Sequence, residues 1–140
     1  ATVFPTVPAY LRALLRPTTP ARWPARLQRV ISAGEPLSPA LARDFEAQYG
    51  IAPHVFYGAS ECGGISYDSL GDAARRGTVG TPLPGVEILL GASSGDGRGR
   101  TLTIRSAAVA TRYHPVSEPG RLADGAFVSE VATQLSVVGL

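Results

Sequence analysis

The stretch that organises this chain is His54–Gly64, which has the sequence HVFYGASECGG. Its first four residues are an apolar run of the kind that forms a buried strand, and a small polar turn with several glycines follows. Glycine lets a ligand approach the backbone closely, as at Gly58. Ser60 and Glu61 supply adjacent hard oxygen donors, which suit a phosphate and its magnesium ion. The alternative interpretation is an ordinary strand-to-loop turn whose polar side chains face water, since short motifs often match by chance.

Upstream of this stretch, the pattern predicts a strand and a helix that lead into it. The strand Leu27–Ile31 ends in a glycine-bearing turn, Ser32–Leu37. Ser38 then provides a helix N-cap followed by proline, and we expect the helix to run to about Tyr49 and to stop at Gly50. A strand–helix–strand unit of about 30 residues implies a parallel sheet. Ligands bind at the carboxyl ends of such strands, where both glycine-bearing turns lie.

The N-terminal part of the chain predicts one more strand and one more helix. Thr2–Thr6 is typical of a short strand, and Pro8–Leu15 carries leucines at helical spacing. Arg16–Ala25 contains three prolines, which exclude a long helix. Trp23 lies within this connector, and we expect it to anchor the connector to the core.

The remainder of the chain has a different character. Ile65–Thr81 is predicted to be loop-rich, and a turn at Pro82–Gly85 precedes two strands that we expect to pair as a hairpin, Val86–Leu90 and Thr101–Arg105. Further short strands, with a tight turn at Asp124–Gly125, are predicted at Val109–Tyr113, Phe127–Val128 and Leu135–Val138. The predicted fold class is α/β. A βαβ-type parallel sheet portion over residues 1–84 is followed by a small antiparallel β subdomain over residues 85–140, whose C-terminal end is divergent.

Composition limits the classes of function. The chain has 140 residues, 44% hydrophobic and 17% charged, so it is neither disordered by composition nor membrane-spanning. All 13 basic residues are arginines, scattered rather than interleaved with aromatics, which disfavours nucleic-acid binding. The single Cys62 excludes an internal disulfide, and with two histidines a structural zinc site is not expected. The cysteine content makes a reducing cytoplasm the expected compartment. No signal peptide is visible, and the start in a strand without Met indicates a fragment.

Five segments, in order along the chain, resemble the motifs of one enzyme family. The first three are LQRVISAGEPL at 27–37, FYGASE at 56–61 and GTVGTPLPGVEI at 77–88, which are similar to the family's SGGAPL, YGATE and GSVGRPLPGVEV. Residues 99–113 resemble GELLVRGPAVMAGYW, and LADGAFV at 122–128 resembles the lead-in to TGD. The chain therefore resembles the AMP-binding, adenylate-forming superfamily, which includes acyl-CoA synthetases, peptide-synthetase adenylation domains and luciferases.

The resemblance implies an activity. Members of the family activate a carboxylic acid with ATP, which gives an acyl-adenylate and pyrophosphate, and a thiol then takes the acyl group. The implied cofactors and partners are ATP or AMP, Mg²⁺, a small-molecule carboxylic acid, and either coenzyme A or the phosphopantetheine thiol of a carrier protein. The segment FYGASE followed by CGGISYD is closer to acyl-CoA ligases than to peptide-synthetase domains, which tend to have proline in this turn.

The resemblance also implies residues that contact the nucleotide. Gly34, Glu35 and Pro36 would border the adenine. Tyr57 would pack its flat face on the adenine ring, and Gly58 belongs to the same set. The alternative is that Tyr57 is a core strand residue and Gly34 a plain turn glycine.

The next residues would serve the phosphates and the acid. Ser60 would hydrogen-bond the phosphate, and Glu61 would hold magnesium, which neutralises charge on the transferring phosphates, so these two are the implied catalytic residues. The acyl pocket would be lined by Gly63, Gly64 and Ile65, whose first two members leave room for a chain or ring. The alternative for Glu61 is that it has no ligand role.

The chain departs from the family pattern at several points. The family's phosphate loop with its lysine lies upstream of residue 1, its catalytic lysine lies in a downstream domain, and the chain itself has no lysine. The family's TGD, whose aspartate binds the ribose hydroxyls, is matched by SEV at 129–131, so Glu130 is the candidate ribose ligand. Arg112 stands where the family has glycine, and Ala126 where it has tryptophan. We therefore expect no adenylation by these residues alone.

Two main hypotheses remain. The first is that the chain is part of the large N-terminal domain of an acyl-CoA synthetase-like ligase, and that the missing N- and C-terminal parts belong to the same enzyme. The second is a catalytically inactive truncated relative that at most binds nucleotide or acts as an interaction module, which the divergent SEV and the shortened tail favour. A generic α/β nucleotide-binding module unrelated to ligases would require the five motifs to match in order by coincidence.

Overall fold

A computed structural model describes residues 2–16, 22–93, 99–114 and 121–132. The helices in these ranges are α1 (Pro8–Leu14), α2 (Pro39–Tyr49) and α3 (Ala73–Arg76). The strands are β1 (Val3–Thr6), β2 (Arg29–Ser32), β3 (Pro53–Ala59), β4 (Gly63–Tyr67), β5 (Thr81–Pro82), β6 (Glu87–Ser93), β7 (Gly99–Arg105), β8 (Leu122–Ala123) and β9 (Ala126–Ala132). They form a five-stranded sheet in the order β1-β2-β3-β4-β5 and a four-stranded sheet in the order β6-β7-β9-β8. The predicted fold class, a parallel sheet portion followed by antiparallel strands, is confirmed.

Helix α2 begins and ends where its sequence predicts. The Ser38 hydroxyl accepts a hydrogen bond from the Leu41 N–H at 3.3 Å, and Pro39 occupies the first helical position, where it sacrifices no hydrogen bond. Gly50 ends the helix in the left-handed conformation at φ 71°, and its N–H donates to the Glu46 carbonyl at 2.7 Å. Both ends therefore follow from local chemistry.

The first three strands form the predicted parallel sheet. β1 pairs with β2, and β2 pairs with β3, both in parallel. The buried side chains of Val30, Val55 and Phe45 join these strands to α2 in one hydrophobic core. Ser32, the last residue of β2, lies in register with Val55, the third residue of β3, so the chain leaves β2 beside the second half of β3. The turn after β2 and the end of β3 therefore meet at one edge of the sheet.

Trp23 anchors its segment to this core, as predicted. Its ring makes edge contacts with Phe4 and Phe45, with centroids 5.8 and 5.5 Å apart, and a tilted contact with Tyr49 at 5.4 Å. The indole Nε1–H donates to the Leu27 carbonyl at 2.9 Å, which satisfies its one polar group. These contacts tie the segment before β2 to β1 and α2.

The loop-rich prediction for Ile65–Thr81 is wrong over part of its length. β3 turns back at residues 60–62 into β4, which pairs with it in antiparallel fashion, and β4 pairs in turn with β5. Local strand propensity is weak at the start of GGISY, because its two glycines disfavour strands. The backbone partners supplied by β3 and β5 decide the conformation here, and they are not visible in the local pattern.

The short helix α3 depends on one buried carboxylate. Asp68 is only 3% exposed, and its Oδ1 accepts the N–H groups of Leu70, Gly71 and Asp72 at 3.2, 2.8 and 3.3 Å. Its Oδ2 accepts the Ala73 N–H at 3.0 Å. A carboxylate that accepts several backbone N–H groups organises a turn where glycine and aspartate would otherwise predict an open loop.

The second sheet contains the predicted hairpin. β6 and β7 pair in antiparallel fashion, and β9 pairs with the other side of β7. Its buried side chains form a second core together with two residues of the β3–β4 hairpin, and the members are Cys62, Ile65, Ile88, Leu102, Ile104 and Phe127. The β3–β4 hairpin therefore contributes to both sheets' packing. The division into domains at residues 84 and 85 stays a prediction.

The C-terminal predictions have mixed outcomes. Asp124 and Gly125, at φ 49° and 71°, form the predicted tight turn between β8 and β9. The strand predicted at Val109–Tyr113 is wrong, because the chain there forms a turn after Ser106 and then an irregular segment. The strand predicted at Leu135–Val138 lies outside the described residues. Within the described part of the chain, no helix is long and apolar enough to cross a membrane.

Candidate functional site

A cleft of about 610 Å³ lies at the carboxyl ends of β2 and β3. Three segments supply its lining among the described residues: 34–39 from the turn after β2, 55–58 from β3, and Ala74 with 77–79 from α3 and the loop after it. Ligand pockets commonly measure about 300–1,000 Å³ and lie at this edge of α/β sheets. Five of the residues implied in nucleotide contact line this cleft, namely Gly34, Glu35, Pro36, Tyr57 and Gly58, whereas Ser60 is not among its described lining residues.

The first wall is the turn after β2. Gly34 has φ 84°, a conformation that glycine adopts without the strain a Cβ would cause. Glu35 is exposed, and its carboxylate lies 3.5 Å from the Arg12 guanidinium of α1. An exposed ion pair of this length contributes little stability, so the Glu35 side chain is free to rearrange around a ligand.

The second wall is Tyr57 of β3. Its ring is half-buried and contacts both hydrophobic cores. Burial raises the pKa of the Tyr57 hydroxyl above its ordinary 10.0, and the nearby Cys62 thiol adds to the rise. The phenol is therefore neutral at physiological pH, which makes this wall flat, uncharged and partly apolar.

The third wall consists of Ala74 of α3 and residues 77–79 after it, and it was not identified from the sequence. Asp68 caps the turn that leads into α3, and the buried Ser66 hydroxyl donates to the Val79 carbonyl at 2.8 Å. Arg75 pairs with Glu46, which ties α3 to α2. A sequence signal did exist, since an Asp shortly before a Gly is typical of a side-chain-capped turn. The segment GTVG was recognised as a motif, but it received no role.

The implied catalytic residues lie on the turn between β3 and β4, next to the cleft residue Gly58 but outside the cleft lining. Ser60 is exposed, and Glu61 is half-buried. The Tyr113 hydroxyl donates to Glu61 Oε1 at 3.3 Å, and the Ala110 N–H donates to the Glu61 carbonyl at 2.7 Å. The backbone and the carboxylate of Glu61 are thus both held from one segment, which the sequence did not predict.

The thiol of Cys62, the residue after Glu61, has low reactivity as a nucleophile. Cys62 is fully buried, and burial raises the pKa of its thiol, with the Glu61 carboxylate adding to the rise. A buried neutral thiol is a poor nucleophile, because the thiolate is the reactive form. Packing in the second core is the role that the geometry gives Cys62.

The three residues implied in the acyl pocket have different surroundings. Gly63 is exposed, at φ 67°, whereas Ile65 is fully buried in the second core. A Cβ at Gly64 would lie 2.7 Å from side-chain atoms of both Leu83 and Phe56, so the space beside this glycine is filled. None of the three is among the described residues that line the cleft. Their acyl-binding role stays a prediction.

The candidate ribose ligand lies in the other sheet. Glu130 belongs to β9, where its backbone is in register with Thr101 of β7. Its contact with ribose stays a prediction.

A metal ion at this site would depend on a single carboxylate. Among the described residues, no group of three or more His, Cys, Asp or Glu side chains could hold a metal ion. Mg²⁺ is commonly bound by one or two carboxylates together with substrate phosphates. Glu61 fits that arrangement, with the phosphate oxygens of a nucleotide as the other ligands.

Comparisons with known proteins identify the fold and the family of the chain. A model of the family described as AMP-binding enzyme matches residues 1–114. ATP-bound MatB from Rhodopseudomonas palustris aligns with a TM-score of 0.75 at 22% identity, over 95% of this chain and 29% of that one. The anthranilate CoA ligase AuaEII, in complex with anthranoyl-AMP, aligns with a TM-score of 0.73 at 20% identity, over 91% and 26%.

A third structure completes the comparison. Unliganded O-succinylbenzoate coenzyme A synthetase (MenE) from Bacillus subtilis aligns with a TM-score of 0.71 at 20% identity, over 92% of this chain and 28% of that one. At these identities the likeness establishes the fold, and the chain spans between 26% and 29% of the three proteins' lengths. The family match covers most of the sequence, so the chain belongs to the AMP-binding enzyme family.

Proposed function

We propose that this chain is the nucleotide-binding part of an ATP-dependent acyl-CoA synthetase-like ligase. The ligase would activate a carboxylic acid as an acyl-adenylate and pass the acyl group to coenzyme A or to a carrier-protein pantetheine. The observation that carries the proposal is the cleft of about 610 Å³, because the two segments implied in adenine contact, 34–36 and 57–58, both line it.

The walls of the cleft suit a purine. The turn at 34–36 presents backbone at Gly34 and the ring of Pro36, and Tyr57 presents a neutral ring. Bases bind by stacking on aromatic faces and by close backbone approach, and both features are present here. The adenine would therefore lie between the turn and Tyr57.

The turn between β3 and β4 carries groups that suit the phosphates. Ser60 has an exposed hydroxyl that can donate to a phosphate oxygen, and Glu61 carries a carboxylate one residue further on. A bound Mg²⁺ would neutralise charge on the phosphates during adenylation. Glu61 would hold that ion, and Ser60 would orient the phosphate beside it.

The similar structures support ATP and an acyl-adenylate as ligands. MatB was solved with ATP and AuaEII with anthranoyl-AMP. The chain has no lysine, and it spans less than a third of either protein, so the activity is proposed for the polypeptide that contains residues 1–140. The cytoplasm stays the predicted compartment.

The first test is nucleotide binding. We expect the native polypeptide that contains these residues to bind AMP, and Tyr57→Ala to weaken AMP binding at least fivefold, because stacking of a base on an aromatic ring contributes about 1–3 kcal/mol. Tyr57→Phe keeps the ring and should retain most of the affinity. Tyr10→Ala, at an exposed tyrosine of α1, is the matched control. Equal AMP affinity in wild type and Tyr57→Ala would refute the assignment of the cleft.

The second test separates a working ligase from an inactive relative. ATP–pyrophosphate exchange is measured on the native polypeptide with a panel of carboxylic acids, with and without Glu61→Gln. Exchange that depends on Glu61 supports the ligase. AMP binding without any exchange would support the alternative, a relative that binds nucleotide but has lost catalysis.

A further inference from the structure

We propose that Tyr113 is a positioning residue for the Glu61 carboxylate, and that it sets the strength of the Mg²⁺–nucleotide complex. The proposal rests on the proposed function, because it takes Glu61 as the ligand of the metal. The proposal gives a role to Tyr113, which lies 52 positions after Glu61 in the sequence.

The geometry holds Glu61 at two points. The Tyr113 hydroxyl lies 3.3 Å from Glu61 Oε1, and the Ala110 N–H lies 2.7 Å from the Glu61 carbonyl oxygen. Both groups come from residues 106–113, which we call the strap. The strap therefore fixes the backbone and the carboxylate of the same residue.

The strap has a defined local shape. The Ser106 hydroxyl accepts the Ala108 N–H at 3.2 Å, and the Ser106 carbonyl accepts the Val109 N–H at 3.3 Å. Ala108 also approaches the β3–β4 turn, since its Cβ lies 3.7 Å from the position a Cβ would take at Gly63. The turn at Ser106 directs the strap across residues 60–63, and Tyr113, at the C-terminal end of the strap, contacts Glu61.

A single metal-binding carboxylate needs such a partner. The glutamate side chain loses considerable rotamer freedom when it is ordered. A hydroxyl that donates to Oε1 restricts that freedom before the metal arrives and leaves Oε2 available to the cation. Partners that orient metal ligands in this way typically change metal affinity by about 10- to 100-fold.

The charge around Glu61 is consistent with this role. None of the ion pairs among the described residues involves Glu61, so no arginine there neutralises its carboxylate. A neutral hydroxyl orients the group and leaves its negative charge for a cation. An arginine in the position of Tyr113 would instead compete with the metal.

The experiment measures how much Mg²⁺ improves ATP binding. Calorimetric affinities of the native polypeptide for ATP are taken with saturating Mg²⁺ and with EDTA, and their ratio is the metal benefit. We expect Tyr113→Phe to reduce this benefit about tenfold. Its affinity for AMP without metal should stay within about twofold, because Tyr113 does not line the cleft. Tyr10→Phe, at an exposed tyrosine of α1, is the control.

A double-mutant cycle connects the effect to Glu61. Glu61→Gln should abolish the metal benefit, and Tyr113→Phe in that background should add nothing further. An unchanged benefit in Tyr113→Phe, or an equal loss in the presence and absence of Glu61, would overturn the proposal. If the wild type binds AMP in the cleft but gains nothing from Mg²⁺, the cleft assignment stands, and the metal role of Glu61 falls together with the role of Tyr113.

A second variant keeps the test decisive if Tyr113→Phe also loses metal-free AMP binding. Glu61→Asp retains the charge but withdraws the carboxylate from Tyr113 by one methylene. We expect it to lose about as much metal benefit as Tyr113→Phe. A full wild-type benefit in Glu61→Asp would show that positioning by Tyr113 is not needed, and would overturn the proposal.

Discussion

Replacing Asp68 by alanine should destabilise the protein more than any exposed substitution. The Asp68 carboxylate accepts four backbone N–H groups, of which those of Gly71 and Ala73 are buried. In Asp68→Ala the other two N–H groups can turn to water, but these two cannot. Each buried donor left without a partner costs about 1–3 kcal/mol, and relief from burying the carboxylate offsets part of that. We expect a net loss of about 3 kcal/mol.

Asp68→Asn refines the prediction. Its amide oxygen can keep the three bonds that Oδ1 accepts, but its NH₂ group would face the Ala73 N–H, donor against donor. We expect a loss of about 1–2 kcal/mol, smaller than that of the alanine variant. Asp44→Ala, at an exposed aspartate of α2, should change stability by less than about 0.5 kcal/mol.

The assay is urea unfolding followed by the fluorescence of Trp23, which packs against the same core that contains Ala73. Because α3 and the loop after it line the cleft, Asp68→Ala should weaken AMP binding as well. A loss below about 1 kcal/mol in Asp68→Ala would refute the reasoning. So would unchanged hydrogen exchange at the Gly71 and Ala73 amides.

Two further predictions concern backbone space and pH. Gly80→Ala should cost several times more than Gly50→Ala in thermal unfolding, because a Cβ at Gly80 would lie 2.4 Å from the Tyr67 carbonyl group, whereas nothing lies within 4 Å at Gly50; equal losses would contradict this. Burial raises the pKa of the Cys62 thiol above its ordinary 9.0, so as the pH rises the thiol ionises in the unfolded chain before it ionises in the folded one. The contribution of this thiol to the free energy of unfolding is therefore complete below about pH 9, and it is lost as the pH rises through the native pKa. Between about pH 8 and pH 10, the free energy of unfolding measured in urea should therefore fall less in Cys62→Ala than in the wild type. An equal fall in both proteins would count against the burial of the thiol.

Much of the first half of the fold could be predicted from the sequence because its signals are local. Ser38, Pro39 and Gly50 delimit α2 by hydrogen bonds and backbone angles that lie within a few residues of each other. The apolar runs at β2 and β3 predict two strands, and the helix between them predicts that these strands pair in parallel. The residues implied in adenine contact follow β2 or lie near the end of β3, so the edge of the sheet at which they meet was predictable too.

Other elements could not be predicted, because long-range contacts decide them. GGISY forms β4 only since β3 and β5 supply its hydrogen-bonding partners. The segment 109–113 alternates like a strand, yet its Ala110 N–H bonds to the Glu61 carbonyl rather than to a sheet. Alternation in sequence indicates a pattern of exposure, and it does not reveal which partner is in reach.

The sequence by itself determined the family and the βαβ start of the fold, and it predicted the residues that we propose to contact a nucleotide, because each depends on residue types at short spacing. Only the tertiary structure decided what surrounds those groups. It made Asp68 the support of the cleft's third wall, filled the space beside Gly64 with Phe56 and Leu83, and brought Tyr113 to Glu61. Contacts between residues far apart in sequence arise from the folding of the whole chain, and no local pattern encodes them.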